Sequence, residues 1–201
     1  MLRVGLTGGL ACGKSYVGET MAGLGCLLIQ ADELGHEVLA CGGEAYEAVV
    51  KEFGSGILAE NGSIDRRALA ARVFGSPERL ARLSALVHPP VWCREEELIA
   101  RFAERRPDGI AVVEAAILIE TGGYQRFHRL ILVTCTPEQQ VERAMRREDA
   151  AEPDVRARMS RQMPLDAKRK FADFVIDTSG SKEDTVRQTR AVYESLRRIQ
   201  P

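Results

Sequence analysis

The chain has 201 residues, 45% of them apolar and 28% charged, with a formal net charge of -1. Such a composition excludes a disordered or fibrous protein and supplies one substantial core, enough for a single domain with insertions. The near balance of charge gives no ground for a nucleic-acid or membrane partner, and neither is expected.

Residues 3–7 form a short apolar run that enters a glycine loop, and helix-compatible residues follow as far as Leu24. Strand, loop and helix are therefore expected in that order. Residues 1–14 lack the sustained apolar block of a secretion signal. A second apolar run, 26–30, ends at Ala31-Asp32. The span 33–108 is largely helical in pattern and far longer than an ordinary crossover, which predicts an inserted helical subdomain. Asn61-Gly62-Ser63 and Gly75-Ser76-Pro77 punctuate it, and Ser76-Pro77 suits a helix start. Residues 110–119 read as one buried strand interrupted by Glu114, well short of a membrane span. Two further apolar runs, 130–135 and 174–177, complete a set of five strands separated by helical stretches. That alternation predicts a parallel sheet covered on both faces.

Thr136-Pro137-Glu138-Gln139 places a capping hydroxyl, a first-turn proline and a glutamine three residues on, which opens a helix running through Arg147. From 143 to 170 there are nine basic residues against five acidic ones, a local excess that a solvated helix face would also produce. The five cysteines, Cys12, Cys26, Cys41, Cys93 and Cys135, are scattered and include no Cys-x-x-Cys pair. Free thiols in a reducing cytoplasm are expected, with no zinc site or disulfide frame.

Gly8-Gly9-Leu10-Ala11-Cys12-Gly13-Lys14-Ser15 fits G-x-x-x-x-G-K-[ST] between a strand and a helix, the setting that a phosphate-binding loop requires. Glycines let backbone N–H groups converge on phosphate oxygens, and the following helix adds the positive end of its dipole. In that arrangement Gly9, Leu10, Ala11, Cys12, Gly13, Lys14, Ser15 and Tyr16 bind the nucleotide, Lys14 reaches the β- and γ-phosphates, and Ser15 ligates Mg²⁺. Cys12 reads as a small filler rather than a nucleophile. The fold expected is a P-loop NTPase-type α/β three-layer sandwich on a central parallel five-stranded sheet. Asp32 follows the second strand and either meets an acceptor hydroxyl or caps the helix that begins at Glu33. A GTP-dependent switch would need Asn-Lys-x-Asp near the end of the fourth strand, where the chain has Thr134-Cys135-Thr136-Pro137.

These residues resemble the dephospho-CoA kinase family from about Leu2 to Gly180. The resemblance rests on the phosphate loop, Ala31-Asp32 with His36, His88-Pro89, the run 118–120, Arg158 with Gln162-Met163-Pro164, Lys168, and Ala172-Asp173 through Asp177. It implies a kinase that moves the γ-phosphoryl group of ATP to the ribose 3'-hydroxyl of dephospho-CoA, the last step of coenzyme A synthesis. The span 33–108 would then bind the acceptor and 147–166 would be a mobile lid, in a cytoplasmic monomer or small homo-oligomer. By the same resemblance Asp32 stands at the acceptor hydroxyl, Arg147 and Arg158 close on phosphates, and His36 and His88 belong to the acceptor side. Glu114 stands where the family usually has Asp and would hold a magnesium-bound water. Tyr16 replaces the common Thr, His36 a frequent Arg, and Thr178 a frequent Asn near the ATP base. Arg143, Arg146 and Arg161 are left as surface or secondary contacts.

Overall fold

The structure, a computed structural model, describes residues 1–199 apart from the side chain of Glu148. It divides into two compact units, one made of Met1–Ile29 and Arg101–Pro201 and the other of Gln30–Ala100.

The first unit is built on a five-stranded sheet. Strands β1 (Leu2–Gly8), β2 (Leu27–Gln30), β3 (Ile110–Glu114), β4 (Arg129–Thr134) and β5 (Phe174–Asp177) lie in the order β2-β3-β1-β4-β5. Central β1 pairs in parallel with β3, Leu2 opposite Ile110, and with β4, Val4 opposite Arg129; β4 pairs in parallel with β5. Alternation along β1 sends Leu2, Val4 and Leu6 to one face, where Val17 and Met21 of α1 (Lys14–Gly23) and Val192 and Leu196 of α9 (Lys182–Arg197) close the core. At Gly5, on the opposite face, an added Cβ would lie 3.1 Å from Leu118 and 2.9 Å from Leu130, so that face is covered by the chain after β3. The expected five-stranded α/β architecture is the one observed.

One strand is shorter than its apolar run. β3 ends at Glu114, and the ladder stops at the hydrogen bond from Ala115 N–H to the Leu6 carbonyl. The Ala116 carbonyl is taken by Thr7 Oγ1 at 3.2 Å and Lys168 Nζ at 3.2 Å, and the chain turns through Thr121 N–H donating to Ile117 O. Side-chain donors thus claim the carbonyl that a strand would offer its neighbour, which ends the strand expected over 110–119.

After β4, α6 (Pro137–Glu148) opens with the anticipated capping box, and α7 (Glu152–Met159) and α8 (Leu165–Lys168) lead to β5. Asp173 fixes the start of that edge, its Oδ2 accepting from Leu130 N–H at 2.8 Å.

The second unit holds α2 (Ala31–Val38), α3 (Tyr46–Phe53), α4 (Arg66–Val73) and most of α5 (Pro77–Arg105), and it buries Leu34, Val38, Val49, Ile57, Leu69 and Val91. Arg94 of α5 grips Glu44 with two 2.9 Å hydrogen bonds and also bonds Glu37 of α2. Helix α2 begins at Ala31, with Gln30 in the extended cap position, so Asp32 is not the N-cap that its spacing allowed. It lies in the first turn, where its carboxylate faces the positive end of the dipole.

Candidate active site

β1 delivers the chain into the phosphate loop and α1 leaves it at Lys14. Gly13, the α1 cap residue, has φ +81°, a left-handed conformation that side chains resist. At Gly9 a Cβ would lie 2.3 Å from Gln140 Nε2, so a larger residue there would displace the Gln140 side chain from the Leu10 carbonyl. Lys14 Nζ donates to the Gly9 carbonyl at 3.0 Å, so the ammonium is folded over the loop. One residue on, Ser15 Oγ donates to Glu114 Oε1 at 2.9 Å, bringing together two oxygens from β3 and α1 that the sequence separates by 99 positions. Ser15 is exposed and Glu114 is buried. Half-buried Tyr16 lies under Lys182, whose Nζ is 5.6 Å from the ring centre.

Cys12 is fully buried, a packing residue as its size suggested. Cys135 donates a thiol hydrogen bond to its sulfur at 3.5 Å. That bond, helped by Lys14 against the opposing effect of burial, lowers the Cys12 thiol to about 7 and raises Cys135. Beneath the loop, Thr178 Oγ1 donates to the Cys12 carbonyl at 2.9 Å. Arg143 in turn donates to Thr178 Oγ1 at 3.0 Å and to its carbonyl at 2.8 Å. Of the two readings left open for Arg143, surface or secondary contact, the structure shows the second, a support of the loop through Thr178. The available signal was its i, i+4 spacing from Arg147 on one helix stripe.

Gln140 and Gln162 were also without a role in the sequence. Gln140 Nε2 donates to the Leu10 carbonyl at 2.8 Å, and Gln162 Oε1 accepts from the Leu10 N–H at 2.9 Å. The Leu10 side chain packs with Val141, Ala144 and Val155. A cavity of about 620 Å³ opens beside Gly9, Cys135, Gln140 and Gln162. Arg147 stands exposed in the last turn of α6 and Arg158 in the last turn of α7.

The remaining candidates belong to the second unit. Asp32 and His36 are exposed and four residues apart on α2, which puts them on one face. The half-buried His88 ring is 5.7 Å from that of Trp92.

Set against known proteins, residues 2–184 match the family model described as dephospho-CoA kinase. The chain belongs to the dephospho-CoA kinase family. A dephospho-CoA kinase of Aquifex aeolicus is 41% identical over 98% of this chain and 99% of its own length. The crystal structure of TT1252 from Thermus thermophilus covers 97% of both chains with a TM-score of 0.80 at 33% identity. A dephospho-CoA kinase from Campylobacter jejuni shares the fold at a TM-score of 0.60 over 96% of both chains, at 24% identity. The match to the dephospho-CoA kinase family runs far beyond the phosphate loop, past the end of β5.

Proposed function

We propose that the chain transfers the γ-phosphoryl group of ATP to the ribose 3'-hydroxyl of dephospho-CoA, the closing step of coenzyme A synthesis. The observation that carries this reading is Lys14 over the loop with Ser15 and Glu114 at 2.9 Å beside it, in a chain of this family. Lys14 leaves the Gly9 carbonyl for the β- and γ-phosphates, while loop amides and the α1 dipole hold their remaining charge.

Ser15 and Glu114 form a donor set of hard oxygens, which fits Mg²⁺ held by one or two protein groups together with phosphates and water. Among the described residues there is no group of three or more His, Cys, Asp or Glu that could hold a metal by itself. When bound, Mg²⁺ supplies neutralisation of charge between the β- and γ-phosphates.

Asp32 accepts a hydrogen bond from the 3'-hydroxyl and aims it in line with the γ-phosphorus. Because the transition state of such transfers is loose, alignment matters more than full deprotonation. Arg147 and Arg158, in a lid over 147–166, neutralise the charge on the transferred group; an arginine so used contributes on the order of 10³ to 10⁵ in rate. The helical span 33–108 holds the acceptor, and His36 and His88 with it. All five cysteines are free thiols, and the proposed setting is a reducing cytoplasm. No helix among the described residues is long and apolar enough to cross a membrane.

The test is incubation with ATP, Mg²⁺ and dephospho-CoA, with the product identified by mass. The expected product carries one added phosphoryl group on the ribose. A folded protein that leaves dephospho-CoA unchanged rejects the substrate.

A further inference from the structure

Leu10 is held from three directions. Its N–H is taken by Gln162, its carbonyl by Gln140, and its side chain, 9% exposed, by Val141 and Ala144 of α6 and Val155 of α7.

Gln162 is itself fixed by its neighbours. The next N–H, that of Met163, donates to Glu120 Oε1 at 3.1 Å. The same oxygen receives Lys168 Nζ at 2.8 Å, and Nζ also reaches the Ala116 carbonyl at 3.2 Å. The Lys168 side chain is 0% exposed, the largest side chain buried to that degree. A buried ammonium is costly unless every proton finds an acceptor, so this arrangement has a narrow geometry. Ala116 stands two residues past Glu114, and Thr7 Oγ1 holds the same carbonyl at 3.2 Å. An unbroken series of contacts therefore joins the end of β3 to the Leu10 amide.

We propose that Gln162 is a positioning residue for nucleotide binding, setting the phosphate loop through the Leu10 amide and itself set by the buried Lys168–Glu120 pair. This rests on the loop being the triphosphate site, and it adds to that reading the part that shapes the loop. Lys14 and the loop amides converge on phosphate only if the loop keeps one conformation, and Leu10 is where the rest of the chain holds it. The loss of Gln162 leaves a part-buried N–H without its acceptor, and the loop relaxes to satisfy it. The effect falls on the nucleotide and spares the acceptor.

Calorimetric titration with ATP and Mg²⁺, with no acceptor present, tests this independently of the substrate assignment. Gln162→Met, close in size but lacking an acceptor oxygen, is expected to weaken ATP binding about tenfold. In the coupled assay it is expected to raise KM for ATP by a similar factor and to leave KM for dephospho-CoA unchanged. Lys168→Met is expected to weaken ATP binding in the same direction, and the double variant to be no weaker than Gln162→Met alone, as two members of one series behave.

ATP binding by folded Gln162→Met within twofold of the parent overturns the proposal, as does an equal rise in both KM values. Lys168→Met with undiminished ATP affinity overturns the part assigned to the buried pair. Should Lys168→Met fail to fold, Gln162→Met decides alone. A parent chain that binds ATP yet leaves dephospho-CoA untouched defeats the substrate assignment and not this inference, whereas a parent that binds no ATP defeats both.

Discussion

Lys14 and Asp32 divide the proposed chemistry between a cation that holds the donor and a carboxylate that aims the acceptor. Lys14→Ala is expected to lower kcat/KM for ATP by at least 10²-fold, and Asp32→Asn to lower kcat by a comparable factor with KM for ATP nearly unchanged. Steady-state kinetics in a coupled assay separates the two patterns, and near-normal kcat in Asp32→Asn removes that role. Asp32 is exposed and Lys14 half-buried, so neither change should unfold the chain. Lys14, Ser15 and Gly13 were legible because a phosphate loop is local: eight consecutive residues carry its spacing. By itself Glu114 was legible as an oddity inside an apolar run and only the family resemblance gave it a magnesium role, while its 2.9 Å contact with Ser15 depends on β1 and β3 being neighbours. The contacts of Gln140, Arg143 and Thr178 were not legible, the spacing of Arg143 from Arg147 aside, since a glutamine, an arginine or a threonine on a helix or loop becomes a support only through what the fold sets opposite it.

Helix α6 shows how much an element can reveal of itself. Thr136 Oγ1 accepts from Gln139 N–H at 3.3 Å, Gln139 Oε1 accepts from Thr136 N–H at 3.4 Å, and Gln139 Nε2 continues to the Ser179 carbonyl at 2.9 Å. Thr136→Ala is expected to destabilise the protein by about 1 kcal/mol, read as a lower urea midpoint at unchanged slope. An unaltered midpoint would remove the cap from the stability of α6. The box was readable because its partners are three residues apart. The end of β3 was not, because the groups that stop it, Thr7 and Lys168, lie 109 and 52 positions from Ala116. The length of α5 was hidden too. It runs from Pro77 to Arg105 through Pro89 and Pro90, residues that on local rules would break it.

For the molecule as a whole, five apolar runs separated by helical stretches were sufficient to expect a parallel five-stranded sheet, whereas the order β2-β3-β1-β4-β5 is seen only in the structure. Stability at high pH belongs to this scale as well. Burial pushes the Cys26 thiol up to about 11 from its ordinary 9, with Arg197 opposing. Between those values the unfolded thiol gives up its proton while the folded one keeps it, so stability falls as pH rises across the window and is unaffected below it. The loss amounts to on the order of 3 kcal/mol. Cys26→Ala is expected to show a smaller drop in urea midpoint from pH 9 to pH 11 than the parent, and equal drops would exclude the thiol as the cause.

The five lysines differ so widely in access that they form a ready-made footprint. Lys51, Lys170 and Lys182 are exposed, Lys14 is half-covered at the phosphate loop, and Lys168 meets no solvent. An amine-acylating reagent followed by peptide mass mapping is expected to mark the first three at once. Lys14 should become refractory when nucleotide is added, and Lys168 should acylate only as fast as the protein opens. One labelling time course then reports surface, ligand occupancy and global opening from three kinds of site on a single chain.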